Sequence, residues 1–404
     1  MTGAAARAEA VRARGRLKGL LVNLVLLGAS LLLAVGAVEA AFRLFPQLAT
    51  EEVALRMHWR EVQDARGPAS ERATVPDPKI GFLYRPNYRG EIRRNELGFG
   101  YTTDANGFRN PTPVEPPADI VILGDSMAFG YGVEDDQTWS ALLARARPEL
   151  SIVNLGMIGA GPQQYQRIYE RFGAPLRPRL VLFTLFPGND VFDANLFDRW
   201  RREGGGRTFA EWRYESPDRG LRGLLESWLD GSYVYQLLRD ARRRLATPFA
   251  GRTLSLADGQ QVRLAPAVYA SNVARSDPAH LDFRLVMAAV EATRREVEAA
   301  GAKFMVLLVP TKELVYLPLV GESAPDPLPA FAAELERQGI SFLDLTPPLQ
   351  TEALERAVYF EVDGHPNALG YRIIADAVLA RLGADFAAGR DPPGLAQEAP
   401  AGPQ

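Results

Sequence analysis

The sequence predicts an α/β protein: a parallel sheet covered by helices on both faces, with an N-terminal transmembrane helix and a small β-rich neck. Three observations carry this prediction. From residue 119 onward, short apolar runs alternate with segments whose apolar residues recur at helical spacing. Residues 19–38 form twenty uncharged positions in a row. Between these two regions, residues 75–111 set apolar and aromatic pairs among Pro, Asn and Gly, a hairpin pattern rather than a helical one.

Composition bounds the function. The chain has 404 residues, 47% hydrophobic and 24% charged, which is globular and long enough for two to three domains of about 150 residues. Forty-six basic against 49 acidic side chains leave a net charge of −3, so no field exists to attract a nucleic-acid backbone. Cysteine is absent, which excludes disulfides, thiolate catalysis and cysteine-ligated metal centres. Imidazole chemistry must choose among His58, His280 and His365. No cofactor or metal site is predicted.

The run GLLVNLVLLGASLLLAVGAV at 19–38 is interrupted only by Asn23 and Ser30. At 1.5 Å per residue it is about 30 Å long, the depth of a bilayer's hydrocarbon core, and the span is placed at 19–42. Ahead of it, Arg7, Arg12, Arg14, Arg16 and Lys18 against Glu9 give a local charge of +4; the remaining 41 basic and 48 acidic residues give −7. This asymmetry puts residues 1–18 in the cytoplasm and the body outside the inner membrane, on the periplasmic side. Ala37, Ala40 and Ala41 offer a signal-peptide cleavage site, but the run exceeds the usual 7–15 residues and Glu39 interrupts its end, so a retained anchor is expected.

Residues 47–118 are read as the neck, ending in the Pro-rich joint PTPVEPPA at 111–118. Beyond it, strands are expected at 119–123, 151–155, 179–185, 303–309 and 340–345. Helices are expected near 137–147, 162–174, 282–300, 327–338 and 368–382. Ligands of such sheets gather at the carboxyl ends of the strands. The first strand runs into Gly124, Asp125 and Ser126, the second into NLGMIGAG at 154–161, and the third into FPGND at 186–190. A Ser at a strand-to-helix turn presents its hydroxyl at the sheet edge, and an Asn amide stabilises an oxyanion without taking its proton. Each fragment alone reads equally as a turn. Near the C-terminus, VDGHPNALGY at 362–371 places His365 two residues after Asp363, before the last helix; His280 and His58 fit surface or capping roles.

In this order, GDS, N-x-x-x-x-G, GND and D-x-H-P-N resemble the SGNH (GDSL-type) hydrolase family over residues 119–386. TTDANGFRNP at 102–111 is similar to a segment preceding the catalytic block in membrane-anchored members. The resemblance implies a flavodoxin-like three-layer α/β/α fold. It makes Ser126 the nucleophile and His365 its base, with an oxyanion hole formed by Ser126, Gly159 and Asn189 and supported by Gly124, Asp125, Gly188 and Asp190. The family's triad acid stands three residues before the His, where this chain has Val362. Asp363, in a D-x-H spacing similar to that of alginate-acetylation proteins, is assigned instead, with Glu361 as the alternative. VPTKELVY at 309–316 resembles the same proteins, and Lys312 is a candidate site residue or a loop charge.

An insertion at about 191–281 carries Trp200, Trp212 and Trp228, which fit either sugar stacking or ordinary packing. Residues 387–404 read as a disordered tail. The implied function is a membrane-anchored serine esterase that removes acetyl or other small acyl groups from an extracytoplasmic glycan or related ester. The alternatives are an O-acyltransferase of polysaccharide modification, and a catalytically silent glycan-binding or assembly protein. Expected partners are the acylated substrate, the membrane and polysaccharide-assembly proteins; nucleic acid is excluded.

Overall fold

The structure, a computed structural model, describes residues 3–50, 53, 57, 73–94, 96–113, 115–214, 229, 231–246, 252–264, 272–323 and 326–387. His58, Trp228 and residues 388–404 of the expected tail lie outside the described residues. The chain forms two compact units, one from Met1–Gly67 with Asp218–Ala246, the other from Pro68–Pro217 with Thr247–Gln404.

The first unit is dominated by helix α1 (Gly3–Leu44). Its Val22–Leu44 stretch, 23 residues of mean hydropathy 2.2, is a candidate membrane span. Leu32 and Leu33 are about three-quarters exposed along it. Glu39, the charge that interrupts the apolar run, has a local partner: its Oε2 accepts from Ser232 Oγ at 2.9 Å and Val234 N at 3.1 Å. A helix start leaves N–H groups without intrahelical partners, and Glu39 satisfies one of them for the helix Tyr233–Ala246. Arg43 donates to Gly231 O at 2.8 Å, and Phe42 stacks on Tyr233 at 6.0 Å.

In the second unit the neck sequence forms two antiparallel hairpins, β1 (Thr74–Asp77) with β2 (Gly81–Tyr84), and β3 (Arg89–Arg94) with β4 (Leu97–Thr102). The five expected strands follow as β5 (Ile120–Leu123), β6 (Ile152–Asn154), β7 (Leu180–Leu185), β10 (Lys303–Leu308) and β11 (Phe342–Asp344), with a β8–β9 hairpin (Arg252–Ser255, Gln261–Leu264) in the insertion. The five pair in parallel in the order β11-β10-β7-β5-β6. In chain order that is 2-1-3-4-5 read from the β6 edge, the flavodoxin-like arrangement. Connections leave β5 and β7 in opposite directions, so a crevice opens where their carboxyl ends diverge.

Side chains alternate across this sheet into two cores, the reason its strands read as unbroken apolar runs. On one face, Val121, Leu123, Val181, Phe183, Val306 and Leu308 pack against α4 (Pro162–Ile168), α5 (Asp190–Glu203), α7 (Leu281–Ala299) and α9 (Leu328–Arg337). On the other, Ile120, Ile122, Leu180, Leu182, Met305 and Leu307 meet α3 (Trp139–Ala146), α10 (Thr346–Ala353) and α11 (Ala368–Ala387, broken at Gly383). Two shorter helices, α6 (Phe209–Tyr214) and α8 (Lys312–Tyr316), and the one-turn α2 (Ser126–Phe129) complete the set used below.

The TTDANGFRNP segment joins the hairpins to the sheet. Arg109, 2% exposed, donates to Gly130 O at 2.7 Å, Val133 O at 2.8 Å, Gly100 O at 3.0 Å and Phe129 O at 3.3 Å, and to Asp135 Oδ1 at 2.6 Å. Its guanidinium also lies 4.9 Å from the centre of the Phe129 ring. Asn110 exchanges bonds with the Asn154 backbone, and Asn154 Nδ2 donates to Ala128 O at 2.8 Å. The segment therefore satisfies the carbonyls that α2 leaves open at its C-terminal end. Arg109→Met strands these carbonyls, and is expected to cost about 3–5 kcal/mol of stability, read as a fall in thermal unfolding temperature of the detergent-solubilised chain.

Candidate active site

The crevice at the ends of β5 and β7 is built from two turns joined by one carboxylate. Asp125 is the N-cap of α2: its Oδ1 accepts from Met127 N at 2.8 Å, while its Oδ2 accepts from Asn189 Nδ2 at 3.0 Å. The GDS turn after β5 is thereby tied to the GND turn after β7. Asp125 is wholly buried; burial pushes its carboxyl up, opposed by the Met127 N–H, the Asn189 amide and the His365 side chain. Gly124 admits no side chain, because a Cβ there would stand 2.7 Å from Ala128 Cβ and 2.8 Å from Thr184 Cβ. That closeness seats α2 directly on β7.

Ser126, the first residue of α2, faces His365. Its Oγ lies 2.7 Å from His365 Nε2, and His365 Nδ1 lies 2.6 Å from Asp363 Oδ1. The same Asp363 oxygen accepts from the His365 backbone N at 3.0 Å. An Asp side chain reaching forward two residues forms an Asx-type turn, and here that turn also catches the imidazole. The D-x-H spacing thus brings a carboxylate to the imidazole within one turn. A carboxylate at Nδ1 fixes the tautomer with the proton on Nδ1, leaving Nε2 free to accept from the Ser126 hydroxyl. Tyr131 packs on the imidazole with ring centres 4.5 Å apart.

Three donors follow the carboxyl ends of β5, β6 and β7. Ser126 N–H opens a helix and has no intrahelical acceptor. Gly159 sits in a turn at φ +74°, a conformation that suits glycine, and its surroundings are open. Asn189 has a second amide hydrogen beyond the one directed at Asp125. Met157 N donates to Gly124 O at 2.9 Å, which holds the Gly159 turn against the GDS turn.

Below the surface lie two further carboxylates. Asp190 closes the FPGND turn, accepting from Phe186 N at 2.7 Å and from Tyr165 Oη at 2.6 Å; burial and the neighbouring Asp125 push it well up. Asp193, one turn on, is raised to about 7 by burial, against the pull of Arg213 at 3.9 Å.

The GDSL-like lipase/acylhydrolase family model matches residues 122–373, well over half of the chain. The chain belongs to this family. Its members hydrolyse ester bonds, and the present GDSL-family chain is an ester-bond hydrolase by that membership. Among solved structures, a catalytic mutant of the acetylxylan esterase Axe2 from Geobacillus stearothermophilus is 13% identical, with a TM-score of 0.36 over 68% of this chain and 98% of that one. A member of the lipolytic G-D-S-L family from Veillonella parvula is 15% identical, with a TM-score of 0.33 over 65% and 96%. No curated protein sequence matches.

Against the sequence-based expectations, the structure of this GDSL-family chain brings Ser126, His365, Asp363 and Asn189 into one crevice. Glu361 is elsewhere: its carboxylate is 3.1 Å from Arg263 Nε. Gly188 serves the turn, its carbonyl accepting from Asn272 Nδ2 at 2.5 Å. Lys312 is 2% exposed and directs its Nζ to the carbonyls of residues 360–363. The stacking role for Trp200 and Trp212 does not hold, since both are buried with Phe197 and Phe209 in one apolar cluster. His280 caps α7, accepting from Asp282 N. Glu96, Arg109 and Asp193 escaped the sequence reading, although the segment carrying Arg109 drew notice as a motif.

The raised Asp193 has a stability consequence of definite sign. The unfolded chain ionises this carboxyl near its ordinary value of 3.8 and the folded chain only near 7. Its contribution to stability therefore falls as pH rises from about 4 to about 7, by up to about 4 kcal/mol. Asp193→Asn is expected to raise the unfolding temperature at pH 8 and to change it little at pH 4, measured by intrinsic Trp fluorescence.

Proposed function

We propose that the protein is a membrane-anchored serine esterase whose catalytic unit works outside the cytoplasmic membrane, removing acetyl or another small acyl group from a glycan or related ester. The observation that carries this reading is the continuous line of hydrogen bonds from Ser126 Oγ through His365 to Asp363, 2.7 Å and then 2.6 Å, at the sheet's switch point. The proposed topology rests on the basic residues ahead of the Val22–Leu44 helix and the acidic body behind it.

In this mechanism Ser126 Oγ attacks the ester carbonyl while His365 Nε2 takes its proton, and the carboxylate of Asp363 stabilises the imidazolium. The carbonyl oxygen becomes an oxyanion held by the N–H groups of Ser126 and Gly159 and by Asn189 Nδ2. Asp125 serves here by orienting Asn189. Collapse breaks the bond to the alcohol, which leaves with the proton from His365. Water then attacks the acyl carbon as His365 removes its proton, and collapse breaks the acyl–Ser126 bond, with His365 returning the proton to Ser126 Oγ and the carboxylic acid leaving. An O-acyltransferase would differ only in the last step, with a sugar hydroxyl in place of water.

With p-nitrophenyl acetate, Ser126→Ala is expected to lower kcat/KM by at least about 1,000-fold, and Asp363→Asn by about 100- to 10,000-fold. Asn189→Ala should lower kcat by about 100- to 1,000-fold. Equal turnover by wild type and Ser126→Ala would refute the serine mechanism. Free acetate released from an acetylated polysaccharide, against acetyl gained by an added acceptor sugar, separates hydrolysis from transfer. Extraction by alkaline carbonate and periplasmic reporter fusions test the anchor and its orientation.

A further inference from the structure

The segment carrying Asp363 has no sheet or helix to hold it. Residues 361–365 form consecutive bends, closed by the backbone bond from Phe360 N to His365 O at 3.2 Å. Buried backbone groups still need partners, and here they come from two side chains of opposite charge. Lys312 Nζ lies 3.1 Å from each of the carbonyls of Glu361, Val362 and Asp363 and 3.3 Å from that of Phe360. Glu96 Oε1 accepts from Val362 N and Asp363 N, both at 2.7 Å. All the carbonyls of residues 360–363 therefore face a cation, and the two amides nearest the carboxylate face an anion. Arg263 N adds a bond to Glu361 O at 2.7 Å.

Glu96 is exposed and its charge is solvated, but Lys312 has no such simple account. Lys312 is almost completely buried at the first position of α8, where the helix dipole disfavours a cation. Glu96 stands at the turn between β3 and β4, more than 260 residues away in sequence from the groups it binds. Both converge on the segment whose setting decides where Asp363 Oδ1 meets His365.

We propose that Lys312 and Glu96 are positioning residues, a cation clamped on the carbonyl side and an anion on the amide side of residues 360–363, which together set the Asp363–His365 hydrogen bond. The proposal builds on the assignment of Ser126, His365 and Asp363 to catalysis. It makes the β3–β4 hairpin part of the active site. Burial lowers the Lys312 ammonium to about 8, against the raising influence of Glu313, Asp363, Glu96 and Glu361 around it, so the carbonyl clamp loses its charge in mildly alkaline solution.

The test uses the full chain in detergent, with p-nitrophenyl acetate kinetics from pH 6 to 10 and the low-field proton resonance of the Asp363–His365 bond, identified by its loss in His365→Gln. In Lys312→Met, kcat is expected to fall about 10- to 100-fold with KM changed less than about twofold, and the resonance to shift or vanish while the unfolding transition stays cooperative. Glu96→Ala should do the same to a smaller degree, and Glu96→Gln should restore most of the loss, since an amide oxygen still accepts from both N–H groups. Wild type should lose kcat/KM above about pH 8 through a step absent from Lys312→Met. A wild-type resonance and kcat in both Lys312→Met and Glu96→Ala would overturn the proposal. So would a loss of kcat that only matches a lower titre of active sites, with the resonance unmoved. The resonance requires no turnover, so failure of the esterase reading in Ser126→Ala is seen separately from failure of the clamp.

Discussion

One buried carboxylate holds the site together. Asp125 has hydrogen-bond donors on both sides of the sheet's switch point, the Met127 N–H after β5 and the Asn189 amide after β7. Strands that diverge in their connections leave a crevice, and without a link across it the nucleophile turn and the amide turn would be positioned independently. The link is costly, since burial pushes Asp125 toward its neutral form, and the donors around it offset that cost. The surrounding small residues follow from the same constraint, because Gly124 must let α2 settle onto β7 before Asp125 can reach its partners.

Much of the fold was legible because burial on both faces of a parallel sheet leaves a plain trace. Residues 120–123 read as an unbroken apolar run, and 180–185 as one interrupted only by Thr184, since the structure buries every one of their side chains. Ser126, Asn189 and His365 were legible for a related reason: they follow strands or precede a helix, where a chain can expose polar groups at a sheet edge. Less could be read of residues that bind backbone atoms. Arg109, Glu96 and Lys312 find their acceptors and donors through folding, at separations that no local pattern records. The aromatic insertion shows the opposite failure. Trp200 and Trp212 lie on two successive helices, three residues after Phe197 and Phe209 respectively, and these four side chains turned inward on one another.

The two-residue spacing of Asp363 and His365 illustrates how geometry can replace sequence distance. A carboxylate three residues upstream would approach the imidazole from a separate turn. At two residues, the same oxygen serves the backbone N–H and the ring N–H together. A tighter turn leaves its own carbonyls and amides without regular partners, and the opposed charges of Lys312 and Glu96 occupy that gap. Beneath, Asp190 does comparable service for the FPGND turn through the Phe186 N–H. Two of the irregular loops of the crevice, at 186–190 and 360–365, are thus closed by charged side chains rather than by a ladder.

The distance in sequence between Ser126 and His365, 239 residues, also orders events in time. A ribosome adding about 5–20 residues per second takes on the order of ten to fifty seconds to pass from one to the other. Throughout that interval the serine is present without a base, and the hairpins that will grip the last loop have nothing yet to grip. Under the proposed serine mechanism the hydroxyl is in this way inert while the chain is being made. It becomes reactive only when the final helix has arrived to close the domain.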